Sequence, residues 1–241
     1  MTTLFYDKAW NEWNDMIRYS PAPRIRRERV MSWIRRLPAS SLLDVGCGNA
    51  EFLRYVAESR PGLQLAGADI SADVIQKNRT RFPSIEFFEI DLNHAEVKRD
   101  FDIVICMEVI EHCLDPHAVI AALARMTAGW LIVTVPCGPV FEIDKRCGHT
   151  RHFSGDEIME ILASVGLACE RLECWGFPFF NLYKRLINLW PDKMCKSFLS
   201  AKKYGPLEKM ISSITYYAFR ACLPCWGYQM FIVASRRKHI L

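Results

Sequence analysis

The sequence of 241 residues has no apolar run that approaches the ~20 residues of a membrane-spanning helix. It also has no internal repeat and no low-complexity tract, which excludes repeat architectures and argues against disorder. The sequence also lacks a large excess of either charge: it has 31 Lys and Arg and 27 Asp and Glu, far from the basic excess of a protein that coats nucleic acid. With 51% hydrophobic residues, the chain can bury a sizeable core.

The ten cysteines form a disulfide framework only if the chain is secreted. The first residues, MTTLFYDKAW, place acidic and polar side chains where a signal peptide has its apolar core. Several cysteines also lie in apolar runs such as 101–106, where a free thiol behaves as a small buried hydrophobe. We therefore expect a cytoplasmic protein with free thiols. Cys222 and Cys225 have the spacing of a redox motif or of half a zinc site, yet no second pair lies at zinc-ribbon spacing, so a structural role is favoured.

From Ser41 onward, short apolar runs alternate with longer amphipathic segments, a pattern typical of β-α units and of a parallel sheet. The predicted strands are 41–45, 64–68, 85–89, 101–106 and 130–135, with a late antiparallel pair at 167–174 and 228–235. The predicted helices lie near 49–59, 72–81, 116–127 and 155–165. The fold class is thus α/β: a doubly wound, Rossmann-like sheet of seven strands, mostly parallel, with an antiparallel last strand.

Helical regions flank this predicted core. Residues 1–39 read as two helices, split by the prolines around 20–23, that form an N-terminal helical lid over the α/β core at 40–174. The first helix presents an apolar face made of Phe5, Tyr6, Trp10, Trp13 and Met16, and the second is basic outside. Residues 175–227 are too long for a hairpin, so they should form a helical cap, rich in aromatic and basic residues, before the last strand and tail at 228–241.

A glycine turn follows the first strand at Gly46, Cys47 and Gly48 and leads into a helix. Glycines let the backbone approach a ligand without a Cβ in the way, and the helix start offers free N–H groups. A dinucleotide site needs a third glycine for its pyrophosphate, but Glu51 stands there, and its carboxylate would repel a diphosphate. The turn therefore favours a cofactor without phosphates.

Acidic residues follow the next two strands. Asp69 ends the second strand, where a carboxylate can accept hydrogen bonds from both ribose hydroxyls. Asp91 follows the third strand, and with Leu92 it could hold an adenine ring by its amino edge and its face. Either acid alone is typical of a solvated loop. Together with Asp44 and the glycine turn, they indicate a nucleoside site.

The segments LLDVGCGNAEFL, GADIS, EIDL and FDIVICMEVIEH resemble, in this order, the motifs of class I S-adenosylmethionine-dependent methyltransferases. The likeness covers about residues 40–170 and is strongest to the branch of ubiquinone-biosynthesis O-methyltransferases and bacterial small-molecule enzymes. It implies S-adenosylmethionine as cofactor and S-adenosylhomocysteine as product. The residues that it places along the cofactor are Asp44, Gly46, Cys47, Gly48, Asp69, Ile70, Asp91, Leu92, Cys106 and Met107.

The reacting groups should follow the fourth and fifth strands, at the edge where open α/β sheets bind ligands. Methyl transfer is an in-line displacement, so the protein positions the acceptor and, for a hydroxyl, removes its proton. If the residues after the fourth strand are helical, Glu108, Glu111 and His112 share one face. We expect His112 or His149 to act as the base, with Glu108 as a further catalytic candidate. A structural role is the alternative for each histidine.

The E-x-x-E-H run with a later histidine is also similar to the metal ligands of small-RNA 2′-O-methyltransferases. By that resemblance, Glu108, Glu111, His112 and His149 would bind a divalent ion that lowers the pKa of a hydroxyl. In many small-molecule relatives the same run packs around the cofactor without metal, and we favour that interpretation.

The predicted function is transfer of a methyl group to a hydroxyl of a small or lipid-like acceptor that the cap selects. Two alternatives stay open: metal-assisted 2′-O-methylation of an RNA terminus, and a methyltransferase-like protein that binds without turnover. The cap would suit a lipid-linked acceptor or contact with an anionic membrane surface, unless its aromatic residues are only core. Nucleic acid fits less well, since the cap is more apolar than a nucleic-acid groove.

Overall fold

A seven-stranded sheet forms the centre of the structure, a computed structural model that describes residues 14–198 and 203–236. Its strands are β1 (Ser41–Val45), β2 (Gln64–Asp69), β3 (Glu86–Glu89), β4 (Phe101–Met107), β5 (Thr127–Pro136), β6 (Leu167–Trp175) and β7 (Gln229–Arg236). The order across the sheet is β3-β2-β1-β4-β5-β7-β6, and β7 runs antiparallel to both of its neighbours. The predicted α/β fold with its antiparallel last strand is confirmed.

Helices cover both faces of this sheet. They are α1 (Asn14–Tyr19), α2 (Pro21–Ile34), α3 (Glu51–Ser59), α4 (Ala72–Arg81), α5 (Pro116–Arg125), α6 (Glu142–Arg146), α7 (Gly155–Ser164), α8 (Phe179–Ile187), α9 (Pro191–Phe198) and α10 (Pro206–Arg220). Successive side chains of a strand point to opposite faces, which divides the core in two. Leu43 and Val104 join the core under α5 and α7, whereas Leu42 and Ile103 join the core under α2 and α3.

The predicted bounds of β5 are too short, since the strand begins at Thr127 rather than at residue 130. Thr127 pairs with Phe101, and the ladder is irregular between that pair and the next one, Ile103 with Trp130. Gly129 lies so close to β4 that a Cβ would stand 2.8 Å from the carbonyl oxygen of Asp102. An apolar run cannot reveal this part of the strand, because Thr, Ala and Gly do not continue the apolar pattern.

The predicted break around the two N-terminal prolines is shorter than expected. Only Ser20 separates α1 from α2, and Pro21 is the first residue of α2. Prolines fit the first helical turn because their missing N–H has no intrahelical partner there. The apolar residues predicted for the first helix, Phe5, Tyr6, Trp10 and Trp13, lie outside the described residues.

The inner face of α2 is buried as predicted, but several of its basic side chains are only partly exposed to solvent. Val30, Met31, Trp33 and Ile34 are buried. The side chains of Arg26, Arg27 and Arg29 are half-buried, because α2 runs beside the sheet edge and α10.

The segment between β6 and β7 contains α8, α9 and α10. Four of its aromatic side chains join the core, namely Phe180, Tyr216, Phe219 and Tyr228. All ten cysteines are free thiols, as expected. In the part of the chain that the structure describes, no helix combines the length and the apolar character that crossing a bilayer requires. The division into lid, core and cap stays a prediction.

The close contact between the turn after β1 and the segment after β4 gives a test of the fold. Gly46 has φ +77°, and a Cβ there would lie 2.3 Å from Cγ2 of Val109. Gly166 has φ +76° with nothing within 4 Å of its Cβ position, so Gly166→Ala is a matched control for backbone strain. We expect Gly166→Ala to lower the free energy of unfolding by about 1–2 kcal/mol. Gly46→Ala should cost about 1–3 kcal/mol more, because it also creates a steric clash.

Urea denaturation of both variants measures the difference, and Val109→Ala should restore most of the additional loss in the Gly46→Ala background. Equal losses in the two glycine variants would show that the turn does not contact Val109 as described.

Candidate active site

The predicted cofactor residues converge at the carboxyl edge of the sheet. The strand order reverses between β1 and β4, and open α/β sheets bind ligands in the crevice at such a point. The glycine turn follows β1, Asp69 is the last residue of β2, Asp91 lies two residues beyond β3, and Met107 ends β4. The topology therefore brings these four chain segments to one crevice.

The glycine turn is tied to the end of β2. The N–H groups of Gly46 and Cys47 donate to the carbonyl of Ala68, at 2.7 and 3.0 Å. The N–H of Gly48 donates to Oδ2 of Asp69 at 2.9 Å, and the N–H of Ser71 donates to Oδ1 at 3.0 Å. Asp69 is buried, so these two bonds fix the direction of its carboxylate.

Asp44 lies beneath this turn as a buried acid. Its Oδ1 has no hydrogen-bond partner. Burial, reinforced by the negative charge of Asp69, raises the pKa of Asp44 to about 8. Asp44 therefore holds its proton at neutral pH, which avoids a second negative charge beside Asp69.

The remaining predicted cofactor residues differ in exposure. Oδ1 of Asp91 accepts from the backbone and side-chain nitrogens of Asn93, at 2.9 and 2.8 Å. Leu92 is buried, while Ile70 and Met107 are half-buried. Two cysteines are buried: Cys47 lies in the core under α2 and α3, and Cys106 lies in the core under α5 and α7. That these residues line the cofactor stays a prediction.

A cationic cavity of about 210 Å³ opens beside the first turn of α3. Its lining residues are Arg18, Arg24, Arg27, Glu28, Glu51, Arg54 and Tyr55. Burial lowers the pKa of Arg27 to about 10, assisted by Arg26 and Arg24, and the side chain stays charged at neutral pH. The Glu51 carboxylate, expected to repel a diphosphate, is itself paired with Arg54 and Arg81. The half-buried position of Arg24 and Arg27 was missed in the sequence, where a basic helix face indicates only exposure to solvent.

The residues after β4 are not one helical face, so that prediction is wrong. Only Ile110–His112 form a short 3₁₀ helix. Glu108 has φ +57°, in the left-handed region that a side chain rarely adopts. Glu108 therefore lies outside the helical turn that contains Glu111 and His112.

Glu108 instead joins a separate network with α2 and β7. Its Oε1 accepts from Thr134 Oγ1 and from Gln229 Nε2, each at 2.8 Å, and its Oε2 accepts from Arg26 at 3.1 Å. Burial opposes ionisation, but Arg26 and the two hydrogen bonds outweigh it and lower the pKa of Glu108. Arg26 and Gln229 were missed because they lie 82 and 121 residues away in sequence.

The other three predicted ligands do meet. Ligand atoms of Glu111, His112 and His149 all lie within 4.8 Å of one another, and Glu108 is not part of the group. Glu111 is wholly buried, and both of its carboxylate oxygens are without a hydrogen-bond partner. Burial, reinforced by the charge of Glu108, raises the pKa of Glu111 and so favours its neutral form.

A hydrogen-bonded chain determines which nitrogen of each histidine carries the proton. Nδ1 of His152 lies 3.3 Å from the carbonyl of Gly138, and a carbonyl only accepts, so this nitrogen is protonated. Nε2 of His152 must then accept from Nδ1 of His149, at 3.2 Å. Nε2 of His149 therefore has a lone pair. By the same reasoning, Nδ1 of His112 donates to the carbonyl of Gly148 at 3.1 Å, and its Nε2 is unprotonated.

Burial keeps these histidines neutral. It lowers the pKa of His149 to about 4, with the nearby His112 as the next cause, and it also lowers the pKa of His112 and His152. The carboxylate of Asp144 opposes this lowering of the pKa, because its Oδ2 lies 3.7 Å from Nε2 of His152. Lys184 pairs with the same carboxylate and partly compensates its charge. His152 and Asp144 were missed, although the spacing H-x-x-H was visible in the sequence.

The family profile of a methyltransferase domain matches residues 23–172, well over half of the chain. The chain belongs to this methyltransferase family. The class I resemblance of the sequence motifs is thereby confirmed, and the crevice that holds the glycine turn and Asp69 lies inside the matched region.

Known relatives of the methyltransferase are distant. The ubiquinone biosynthesis O-methyltransferase of Albidiferax ferrireducens is 30% identical over 139 residues, which cover 53% of this chain and 54% of that enzyme. The enzyme of the same name from Hahella chejuensis is 32% identical over 130 residues, or 51% of this chain and 54% of its own. The chain thus spans about half the length of the curated relatives it matches.

Solved structures show the same fold. The N-methyltransferase NodS of Bradyrhizobium japonicum, in complex with S-adenosylhomocysteine, superposes with a TM-score of 0.62 at 14% identity and covers 97% of this chain and 99% of its own. Magnesium protoporphyrin IX methyltransferase from Synechocystis, with the same bound molecule, gives 0.57 at 17% identity, over 88% and 82% of the two chains.

The neutral state of Asp44 predicts how stability depends on pH. Its pKa is about 8 in the folded protein against an ordinary 3.8, so the folded state binds a proton that the unfolded state releases. The stability contributed by this proton is complete below pH 3.8 and is lost as pH rises through 8. Between these values the slope is about −1.4 kcal/mol per pH unit.

Asp44→Asn is neutral in both states, so its free energy of unfolding should fall less with rising pH than that of the wild type. Denaturation curves at several pH values measure this, with the exposed Asp100→Asn as the matched control. Parallel curves for the wild type and Asp44→Asn would contradict the buried, protonated state of Asp44.

Proposed function

We propose that this methyltransferase transfers the methyl group of S-adenosylmethionine to a hydroxyl of a small or lipid-like acceptor, with His149 as the proton acceptor. The observation that carries this proposal is the unprotonated Nε2 of His149, held by the hydrogen-bonded chain through His152 to Gly138. A hydroxyl needs such an acceptor in order to become a nucleophile, whereas an amine that arrives neutral does not.

The residues of the crevice fit the cofactor. When bound, S-adenosylmethionine supplies an electrophilic methyl group. Asp69 would accept from the ribose hydroxyls, because a carboxylate oxygen can accept more than one hydrogen bond and its direction is already fixed by Gly48 and Ser71. Arg27 in the cationic cavity would pair with the carboxylate of the methionine half.

Glu108 has a positioning role in this proposal. Its carboxylate is held by Arg26, Thr134 and Gln229, so it links α2, β5 and β7 at the mouth of the crevice. Its charge is compensated there, which leaves Glu108 poorly suited to take a proton from the acceptor. The Arg26 pair would hold the N-terminal helices over the cofactor, the role expected of the lid.

A metal at Glu111, His112 and His149 is the second candidate for activating the hydroxyl. Two imidazole nitrogens and a carboxylate are suitable donors for a divalent cation, and the unpartnered oxygens of Glu111 favour it. Glu108 would take no part, since Arg26 occupies it. The metal would also serve the RNA-terminus alternative.

Asp69→Asn tests the cofactor site. We expect the variant to bind S-adenosylhomocysteine at least tenfold more weakly in calorimetry, since an amide cannot accept through both of its polar atoms. Asp73→Asn, on the exposed face of α4, is the control and should bind as the wild type does. Unchanged affinity in Asp69→Asn would remove the ribose assignment.

His149→Gln tests the proton acceptor separately. The variant should retain affinity for S-adenosylhomocysteine but lose about 10²–10⁴-fold in kcat, the usual contribution of general base catalysis. His117→Gln, on the exposed start of α5, should keep full activity. The acceptor for these assays would first be found from the masses of products formed in cell extract with labelled cofactor.

The low pKa of His149 also predicts the pH profile. Because the imidazole is neutral at every pH above about 4, kcat should not fall between pH 8 and about 5, as it would for a histidine with an ordinary pKa of 6.5. A fall with a midpoint near 6.5 would exclude His149 in its described environment. Loss of turnover in chelator, restored by a divalent ion, would favour the metal.

A further inference from the structure

Exposed apolar side chains are concentrated in one part of the chain. Fifteen large hydrophobic residues are exposed in the described ranges, and thirteen of them lie between Phe177 and Trp226. The other two are Leu114 and Met159. Single exposed hydrophobic residues are ordinary, but a cluster of this kind marks a surface that contacts something other than water.

Helix α10 carries two apolar sides. Its inner side buries Ser212, Tyr216 and Phe219 against α2 and the core. Its outer side presents side chains at helical spacing that are each 53 to 67% exposed: Leu207, Met210, Ile211, Ile214 and Tyr217. The inner side already attaches the helix to the protein, so folding does not require the outer stripe.

Helix α8 and the turn after it repeat this arrangement. Phe180 faces the core, while the outer side chains are 43 to 63% exposed: Phe179, Leu182, Leu186, Leu189 and Trp190. The rings of Phe180 and Tyr183 each lie 5.4 Å from the ring of Phe219 in α10. The two stripes therefore belong to one region, which we call the docking surface.

The charge of the same segment is strongly positive. Residues 177–226 contain eight of the 31 Lys and Arg of the chain but only two of its 27 Asp and Glu. The segment is therefore net +6, and the rest of the chain is net −2. Arg185, Lys193, Lys203 and Arg220 are exposed beside the stripes.

We propose that the docking surface binds the face of an anionic phospholipid bilayer, with the apolar stripes in the interfacial layer and the cations among the headgroups. Apolar side chains flanked by Lys and Arg match that layer in both polarity and charge. This inference is independent of the proposed methyl transfer, since it concerns a surface on the opposite side of α10 from the core.

Two other occupants match the surface less well. A second copy of the chain would bring one +6 segment against another, and like charges across an interface are unfavourable. Nucleic acid would satisfy the cations, but the stripes are mostly Leu, Ile and Met, which neither stack on bases nor bind their edges.

Flotation of the full-length protein with vesicles tests the proposal. The probes are phosphatidylcholine vesicles with and without about 30 mol % phosphatidylserine. We expect the protein to float with the anionic vesicles, to bind the neutral ones at least tenfold more weakly, and to be released as salt increases.

Matched variants separate the apolar and charged contributions. The double variant Ile211→Asp with Ile214→Asp should lower the partition coefficient at least tenfold, while Met159→Asp, an exposed apolar residue elsewhere, should not. Lys193→Glu with Lys203→Glu should lower it by about fivefold or more per cation, compared with no change for the exposed Arg36→Glu. Unchanged melting temperature and S-adenosylhomocysteine affinity would show that each variant is folded.

Several outcomes would overturn the proposal. They are wild-type protein that does not float, equal flotation of the Asp variant, and equal binding to neutral and anionic vesicles. A concentration-dependent dimer that Ile211→Asp dissociates, without vesicle binding, would assign the surface to a second copy. Retention of single-stranded RNA without vesicle binding would assign it to nucleic acid.

Discussion

The contact between Gly46 and Val109 constrains the rest of the site. A backbone without a Cβ allows the turn after β1 and the segment after β4 to approach each other at the point where the sheet order reverses. Hydrogen bonds to Ala68 hold the turn against β2, where Gly48 orients Asp69. In the segment after β4, Glu108 has a left-handed conformation and lies outside the 3₁₀ helix that contains Glu111 and His112.

The site contains four acids whose surroundings differ. Asp69 is bound by backbone N–H groups, and Asp44 beside it keeps its proton. Arg26 reaches Glu108 from α2 and lowers the pKa of that carboxyl, whereas burial and the charge of Glu108 raise the pKa of Glu111. Burial penalises each charge, so ionisation is retained only where the fold supplies a partner.

The helices between β6 and β7 serve two different surfaces. Their buried aromatic side chains extend the core under α2, which fits the interpretation of these residues as packing. Their aliphatic side chains face outward in stripes, which fits a role in contact. The two expectations from the sequence thus apply to different residues of the same helices.

The fold class, most strand bounds and the order of the cofactor motifs can be predicted from the sequence alone, because they depend on local periodicity and on turns. Gly46, Gly48 and Asp69 were found in this way, since each lies close to a strand end that its own neighbours reveal. The pKa shifts of the buried acids, the protonated nitrogen of each histidine and the exposed side of α10 require the folded structure. Arg26 and Gln229 come to Glu108 from distant parts of the chain, and hydrogen bonding and burial depend on those distant partners, which a pattern of neighbouring residues does not contain.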